Sequence, residues 1–163
     1  VMLSVADDFP DYQFIIAGAP SQEYAFYEQF LKNKNVHFVA NKTYDLLSHA
    51  TAALVTSGTA TLETALFKVP EVVCYRSSKI SYEIGKRVVK NIKYISLVNL
   101  IMDEEIVTEL IQNELNTNNL VKELTKILEG ENRTKMLENY EALREKLGGK
   151  GASDYEAKII VNG

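Results

Sequence analysis

Four short apolar runs, each followed by a segment with helical spacing, limit the fold of this chain more than any other feature. They are Gln13–Gly18, Val36–Ala40, Ala52–Thr56 and Val72–Tyr75. Each is nearly continuous rather than alternating, as strands covered on both faces of a parallel sheet must be. Tyr94–Ser96 is a weaker fifth run. Helical spacing appears at 21–33, where Ser21 is the expected N-cap and Tyr24, Tyr27 and Leu31 share a face. It recurs at 43–50 with Thr43 as cap, at 58–68 and at 80–91. Strand and helix alternating at this interval imply right-handed crossovers. The expected fold class is α/β: one Rossmann-like parallel sheet with helices on both faces.

After Asp103 the strand signal stops, and a helical C-terminal tail is expected. Leu120, Leu124, Ile127 and Leu128 form one stripe; Met136, Leu137, Tyr140, Leu143 and Leu147 form another. The cluster Gly148-Gly149-Lys150-Gly151 follows a long helix rather than a strand, so it reads as a C-cap and hinge, not a phosphate loop. A further helix is expected over 152–161. Val1–Phe9 resembles the end of a helix, with Met2, Val5 and Ala6 on one face. Folds of this class usually open on a strand, so residues 1–163 are expected to be a single domain from a longer protein.

Charge narrows the function classes. The formal net charge is −4, which argues against nucleic acid as a partner. Residues 1–102 carry a net of +1 and residues 103–163 a net of −5. Within the first part, Arg76, Lys79, Lys86, Arg87, Lys90 and Lys93 face only Glu83 over 76–93. One local basic stretch on an acidic chain suggests a surface facing an anion. A single cysteine and two histidines supply neither a disulfide framework nor a soft metal site. His37 and His49 read as structural, and Cys74 as an inert core residue.

The run Ser57-Gly58-Thr59-Ala60-Thr61-Leu62-Glu63 leaves the third strand and opens a helix. The carboxyl ends of parallel strands are where open α/β sheets bind ligands. First-turn amides and the helix dipole attract an anion there, and Gly58 permits close backbone approach. Ser57, Thr59 and Thr61 are expected to add hydroxyl donors, and Glu63 to accept hydrogen bonds from two sugar hydroxyls. The same run is also compatible with a simple cap. Arg76, at the end of the fourth strand, falls on the same rim and suits a phosphate. Asn99 is expected to be a third rim group, offering donor and acceptor.

The blocks S-G-T-A-T-L-E-T-A-L-F-K-V-P-E-V-V-C-Y-R at 57–76, K-R-V-V-K at 86–90 and Y-I-S-L-V-N-L-I at 94–101 closely resemble the lipid-A-disaccharide synthase family. D-F-P-D-Y-Q-F-I-I-A-G-A-P at 8–20 resembles its preceding strand. E-L-I-Q-N-E at 109–114 resembles the helix after its nucleotide site. The resemblance implies a two-domain glycosyltransferase with two Rossmann-like halves, of which this chain is the C-terminal, UDP-binding one. It implies transfer of 2,3-diacylglucosamine from a UDP-sugar donor to a lipid monosaccharide phosphate acceptor, 2,3-diacylglucosamine 1-phosphate. It also implies a cytoplasmic enzyme peripheral to the inner membrane, with no cofactor. An anionic membrane surface and a second copy of the chain are further expected partners.

The family's acceptor domain, its catalytic base and a Gly-Ser-Arg phosphate loop have no counterpart in these residues. Transfer needs an oriented acceptor and a base besides leaving-group stabilisation, so the chain alone is expected to be inactive, with no catalytic residue of its own. Half of another UDP-sugar transferase or of a 2-epimerase remains an alternative reading, as does a non-catalytic nucleotide-binding module.

Overall fold

The computed structural model describes residues 1–18, 24–28, 31, 36–56, 58–76 and 93–148. A 3-10 helix, Met2–Asp8, leads into β1 (Phe14–Gly18), α1 (Tyr24–Glu28), β2 (Val36–Ala40), α2 (Thr43–Leu47) and β3 (Ala53–Thr56). Next come α3 (Thr59–Leu66), β4 (Glu71–Tyr75), α4 (Leu97–Met102), β5 (Thr108–Ile111), α5 (Thr117–Leu128) and α6 (Glu131–Lys146). All four main apolar runs are strands, and every pairing is parallel.

The strands form two sheets, not the single sheet expected: β1 pairs with β2, and β3-β4-β5 form the other. β4 lies between β3 and β5, and Glu71–Cys74 are all buried. A strand covered on both faces and paired on both edges has to read as a continuous apolar run, and Val72-Val73-Cys74 does. The register sets Thr56 opposite Cys74 and Tyr75 opposite Ile111. β3, β4 and β5 therefore finish on one rim.

Two expectations near residue 100 are corrected. Tyr94–Ser96 is not a strand. The amides of Ile95 and Ser96 donate to the two carboxylate oxygens of Glu109, each at 2.9 Å, so a side chain replaces a ladder partner. Conversely, 108–111 is a strand and not part of a helix. Thr43 is also not a cap: Lys42 precedes the first turn of α2, and no side chain bonds there. Of the segment 21–33 the described helix is Tyr24–Glu28, while the helices expected at 80–91 and 152–161 lie outside the described residues.

The helical tail follows its stripes. The Asn116 side chain accepts from the amide of Asn119 at 3.0 Å and caps α5. α5 buries Leu120, Leu124 and Ile127; α6 buries Met136, Tyr140 and Leu143. Each such side chain contributes roughly 1.5–3 kcal/mol on leaving water. The 3-10 helix joins this layer: Val5 and Ala6 are fully buried, and Ser4 and Thr117 share a hydroxyl hydrogen bond of 2.6 Å. Arg133 of α6 donates to the carbonyls of Thr51 and Ile127, tying the tail to the start of β3. Lys68 and Glu141 form an ion pair between the end of α3 and α6.

One buried group opposes this packing. Glu71 opens β4 with no exposure, and among the described residues neither carboxylate oxygen has a well-formed hydrogen bond. Burial raises its pKa to about 9, which the neighbouring Tyr140 hydroxyl only partly offsets. The folded chain thus holds a proton that the unfolded chain releases near pH 4.5. Stability from this group is complete below that pH and declines as pH rises toward 9, by about 1.4 kcal/mol per unit. Glu71→Gln removes that slope. Urea denaturation from pH 4 to 8 should show variant and parent close at pH 4, with the variant progressively more stable above it.

Candidate functional site

The rim shared by β3, β4 and β5 gathers most of the residues singled out from the sequence. Gly58 is the N-cap of α3, with φ 118° and ψ −160°. That conformation is essentially confined to glycine. An added Cβ would meet no atom within 4 Å, so the requirement is on the backbone and not on space. Thr59 and Ala60, the first residues of α3, are exposed, so the amide end of the helix opens outward. Ser57 lies outside the described residues.

Thr61 is corrected as a ligand group. It is fully buried, and its hydroxyl donates to the carbonyl of Gly58 at 2.8 Å. A hydroxyl three residues into a helix reaches back to that carbonyl more readily than outward to solvent. Thr64 does the same toward Ala60, also at 2.8 Å. These two side chains hold the glycine turn in shape. Glu63, one turn into α3, is half-buried, and its carboxylate has no hydrogen bond or ion pair among the described residues.

Arg76 leaves β4 on the same rim. Since Thr56 pairs with Cys74, Gly58 and Arg76 stand two residues beyond a paired position on adjacent strands. The guanidinium is exposed, and its Nη2 donates to the carbonyl of Leu115 at 2.9 Å and, more weakly, to that of Gln112 at 3.4 Å. It braces the turn between β5 and α5 and keeps further N–H groups for an anion. Of the basic stretch, Lys79, Lys86, Arg87 and Lys90 lie outside the described residues.

Asn99 is the second correction. It is fully buried and has no free donor or acceptor for a ligand. Its Nδ2 donates to the Val107 carbonyl at 2.8 Å and to Glu109 at 2.9 Å; its Oδ1 accepts from the amides of Ile106 and Val107. Glu109 in turn accepts from Ile95, from Ser96 through both amide and hydroxyl, and from Asn99. This knot fixes both ends of α4 against β5. Glu109 was not singled out from the sequence. A carboxylate amid a run as apolar as Ile106–Ile111 was the available signal.

His49 donates from Nδ1 to the Asp45 carbonyl, 2.9 Å away, while burial pushes the Cys74 thiol up to about 12. Neither belongs to the rim. Among the described residues no three His, Cys, Asp or Glu side chains converge on a metal-sized site, and no helix is long and apolar enough to cross a membrane.

A family model described as Lipid-A-disaccharide synthetase matches residues 2–161. The chain belongs to that family. Among curated relatives, the lipid-A-disaccharide synthase of Prochlorococcus marinus is 40% identical over 102 residues, 61% of this chain and 26% of its own length. That of Synechocystis is 33% identical over 101 residues, with the same two shares. The enzyme of Pseudoalteromonas translucida is 46% identical over 71 residues, 43% of this chain and 18% of its own. The chain thus spans about a quarter of the length of the Prochlorococcus and Synechocystis synthases.

Within this synthetase fold the knot and the rim are separable by mutation. Asn99→Ala leaves the buried amides of Ile106 and Val107 without acceptors, at about 1–3 kcal/mol for each orphaned group. Urea denaturation should show a loss of at least about 2 kcal/mol. Arg76→Ala should lose less than half as much, because its carbonyl partners lie near solvent.

Proposed function

We propose that this chain is the nucleotide-sugar-binding domain of a glycosyltransferase of lipid A biosynthesis. In the complete enzyme it holds the UDP of a 2,3-diacylglucosamine donor while the sugar passes to 2,3-diacylglucosamine 1-phosphate. The observation that carries this reading is the family match over 2–161. The outward-facing amides of α3 beside Arg76 support it.

Each rim group has a task in the proposal. The diphosphate lies at the start of α3, where Ser57, Gly58 and Thr59 present backbone and hydroxyl donors to its charge. Arg76 adds a guanidinium, and leaving-group charge that develops on UDP is stabilised by the same dipole and cation. Glu63 accepts from the ribose hydroxyls. Thr61 and Asn99 contribute by keeping the turn and α4 in place. The UDP-sugar is a substrate and not a resident cofactor, and the domain alone does not complete the transfer.

Titration with UDP, followed by amide chemical shifts, tests the site. Shifts are expected at Gly58–Glu63 and Arg76. Glu63→Ala should weaken binding by about tenfold, equivalent to one charge-assisted hydrogen bond of roughly 1.5 kcal/mol, with an unchanged melting temperature. Shifts confined to another face would overturn the placement.

The basic stretch 76–93 supports a second part of the reading: a surface of the enzyme that meets anionic lipid. Each basic residue near such a surface contributes about 1 kcal/mol. In vesicle sedimentation, the full-length protein carrying Lys86→Glu and Lys90→Glu should bind phosphatidylserine vesicles at least tenfold more weakly than the parent. Equal binding removes the membrane surface from the proposal.

A further inference from the structure

The turn that leads from β5 into α5 is held by more side-chain donors than the cap of a helix requires. Asn116 is the N-cap, and its Oδ1 accepts from the Asn119 amide at 3.0 Å. That bond accounts for one asparagine. Asn119 stands three residues beyond the cap, inside the helix, where asparagine is a weak helix former. In a capping box that position holds Glu or Gln, whose side chain reaches back to the amide of the cap. Asn119 does something else. Its Nδ2 donates to the carbonyl of Glu114 at 2.8 Å.

The Glu114 carbonyl also receives the Asn116 amide at 2.9 Å and the Asn116 Nδ2 at 3.2 Å. One peptide further on lies the Leu115 carbonyl, the 2.9 Å acceptor of Arg76. The Leu115 side chain is buried in the core. The residue that offers Arg76 its acceptor is thus fixed twice: by its own side chain, and by the carbonyl before it, on which Asn119 and Asn116 converge. Asn113 and Glu114 are exposed, so the core does not hold that part of the turn, and the asparagine side chains do.

We infer that Asn119 is a positioning residue for Arg76: by holding the Glu114 carbonyl it sets the Leu115 carbonyl, which orients the guanidinium for an anion at the start of α3. The inference rests on the proposed reading of this rim as the seat of the UDP diphosphate. Arg76 is exposed, and a long exposed side chain spreads over many rotamers unless something holds it. An anchored Nη2 narrows the orientations of the planar fork, so less ordering remains to be done when the anion arrives. An ionised Glu in place of Asn119 would have no proton to give the Glu114 carbonyl, and would add negative charge to the turn that Arg76 contacts. The choice of a carboxamide over the capping-box carboxylate is explained by this task.

Calorimetric titration of the full-length protein with UDP and with uridine tests this. Asn119→Ala puts a good helix former into α5 and removes one side-chain hydrogen bond, so the variant should fold. It should weaken UDP binding about fivefold, and by less than about 1.5-fold in an Arg76→Ala background, because residues that act through one contact are not additive. Uridine, which has no phosphate, should bind parent and Asn119→Ala alike. An equal loss of UDP affinity in both backgrounds, or an equal loss for uridine, marks a merely structural role and overturns the inference. So does unchanged UDP affinity in Asn119→Ala where Arg76→Ala weakens it. Unchanged UDP affinity in Arg76→Ala is a different result: it separates Arg76 from the phosphate, and overturns the reading of the rim together with the inference built on it.

Discussion

The hydrogen-bonded seat of β4 is the constraint on which the rest of this structure depends. The strand is buried along Glu71–Cys74 and paired on both edges, so its backbone groups have no solvent to turn to and must be met by β3 and β5. Parallel pairing then fixes direction as well as position. β3, β4 and β5 all discharge their chain at one end, and the amide-rich start of α3, Arg76 and the Gln112–Leu115 turn come together there without any of them having to attract the others. α5 and α6 close the core, with Leu120 and Leu143 fully buried.

The same seat creates the two polar problems of the core, and they are solved differently. The Asn99–Glu109 knot satisfies every donor and acceptor it encloses, so it holds an irregular stretch of chain rigidly at little net cost. Glu71 has no well-formed hydrogen bond among the described residues and remains neutral through its raised pKa. A neutral carboxyl is far less costly to bury than a charged one, and protonation is how the fold tolerates it.

Much of this was legible in the sequence, because both faces of a parallel strand are apolar and the period of a helix stripe is unmistakable. Val72-Val73-Cys74, the α5 stripe and the α6 stripe needed nothing beyond their neighbours. β5 was hidden because Glu109 interrupts its apolar run, and the reason for a carboxylate there is contact with residues 95–99, which no local pattern records. Ser96 was misread for the complementary reason: its amide bonds to that side chain and not to a strand. At the rim, residue type identified Gly58 and Arg76. Whether a hydroxyl or amide faces outward depends on what lies behind it, so Thr61 and Asn99 could be named as polar groups but not aimed.

Arg76 illustrates what such geometry does to the set of tolerable substitutions. Its Nη2 is already engaged by the Leu115 carbonyl, one residue before the cap of α5. A planar fork can hold that carbonyl with one nitrogen and direct the others elsewhere, whereas an ammonium concentrates its charge at a single atom. Lysine would preserve the charge of the rim but force a choice between bracing the turn and meeting an incoming anion. The position is therefore selective for shape as much as for sign, and a change that looks conservative by charge would divide two duties that a single guanidinium combines.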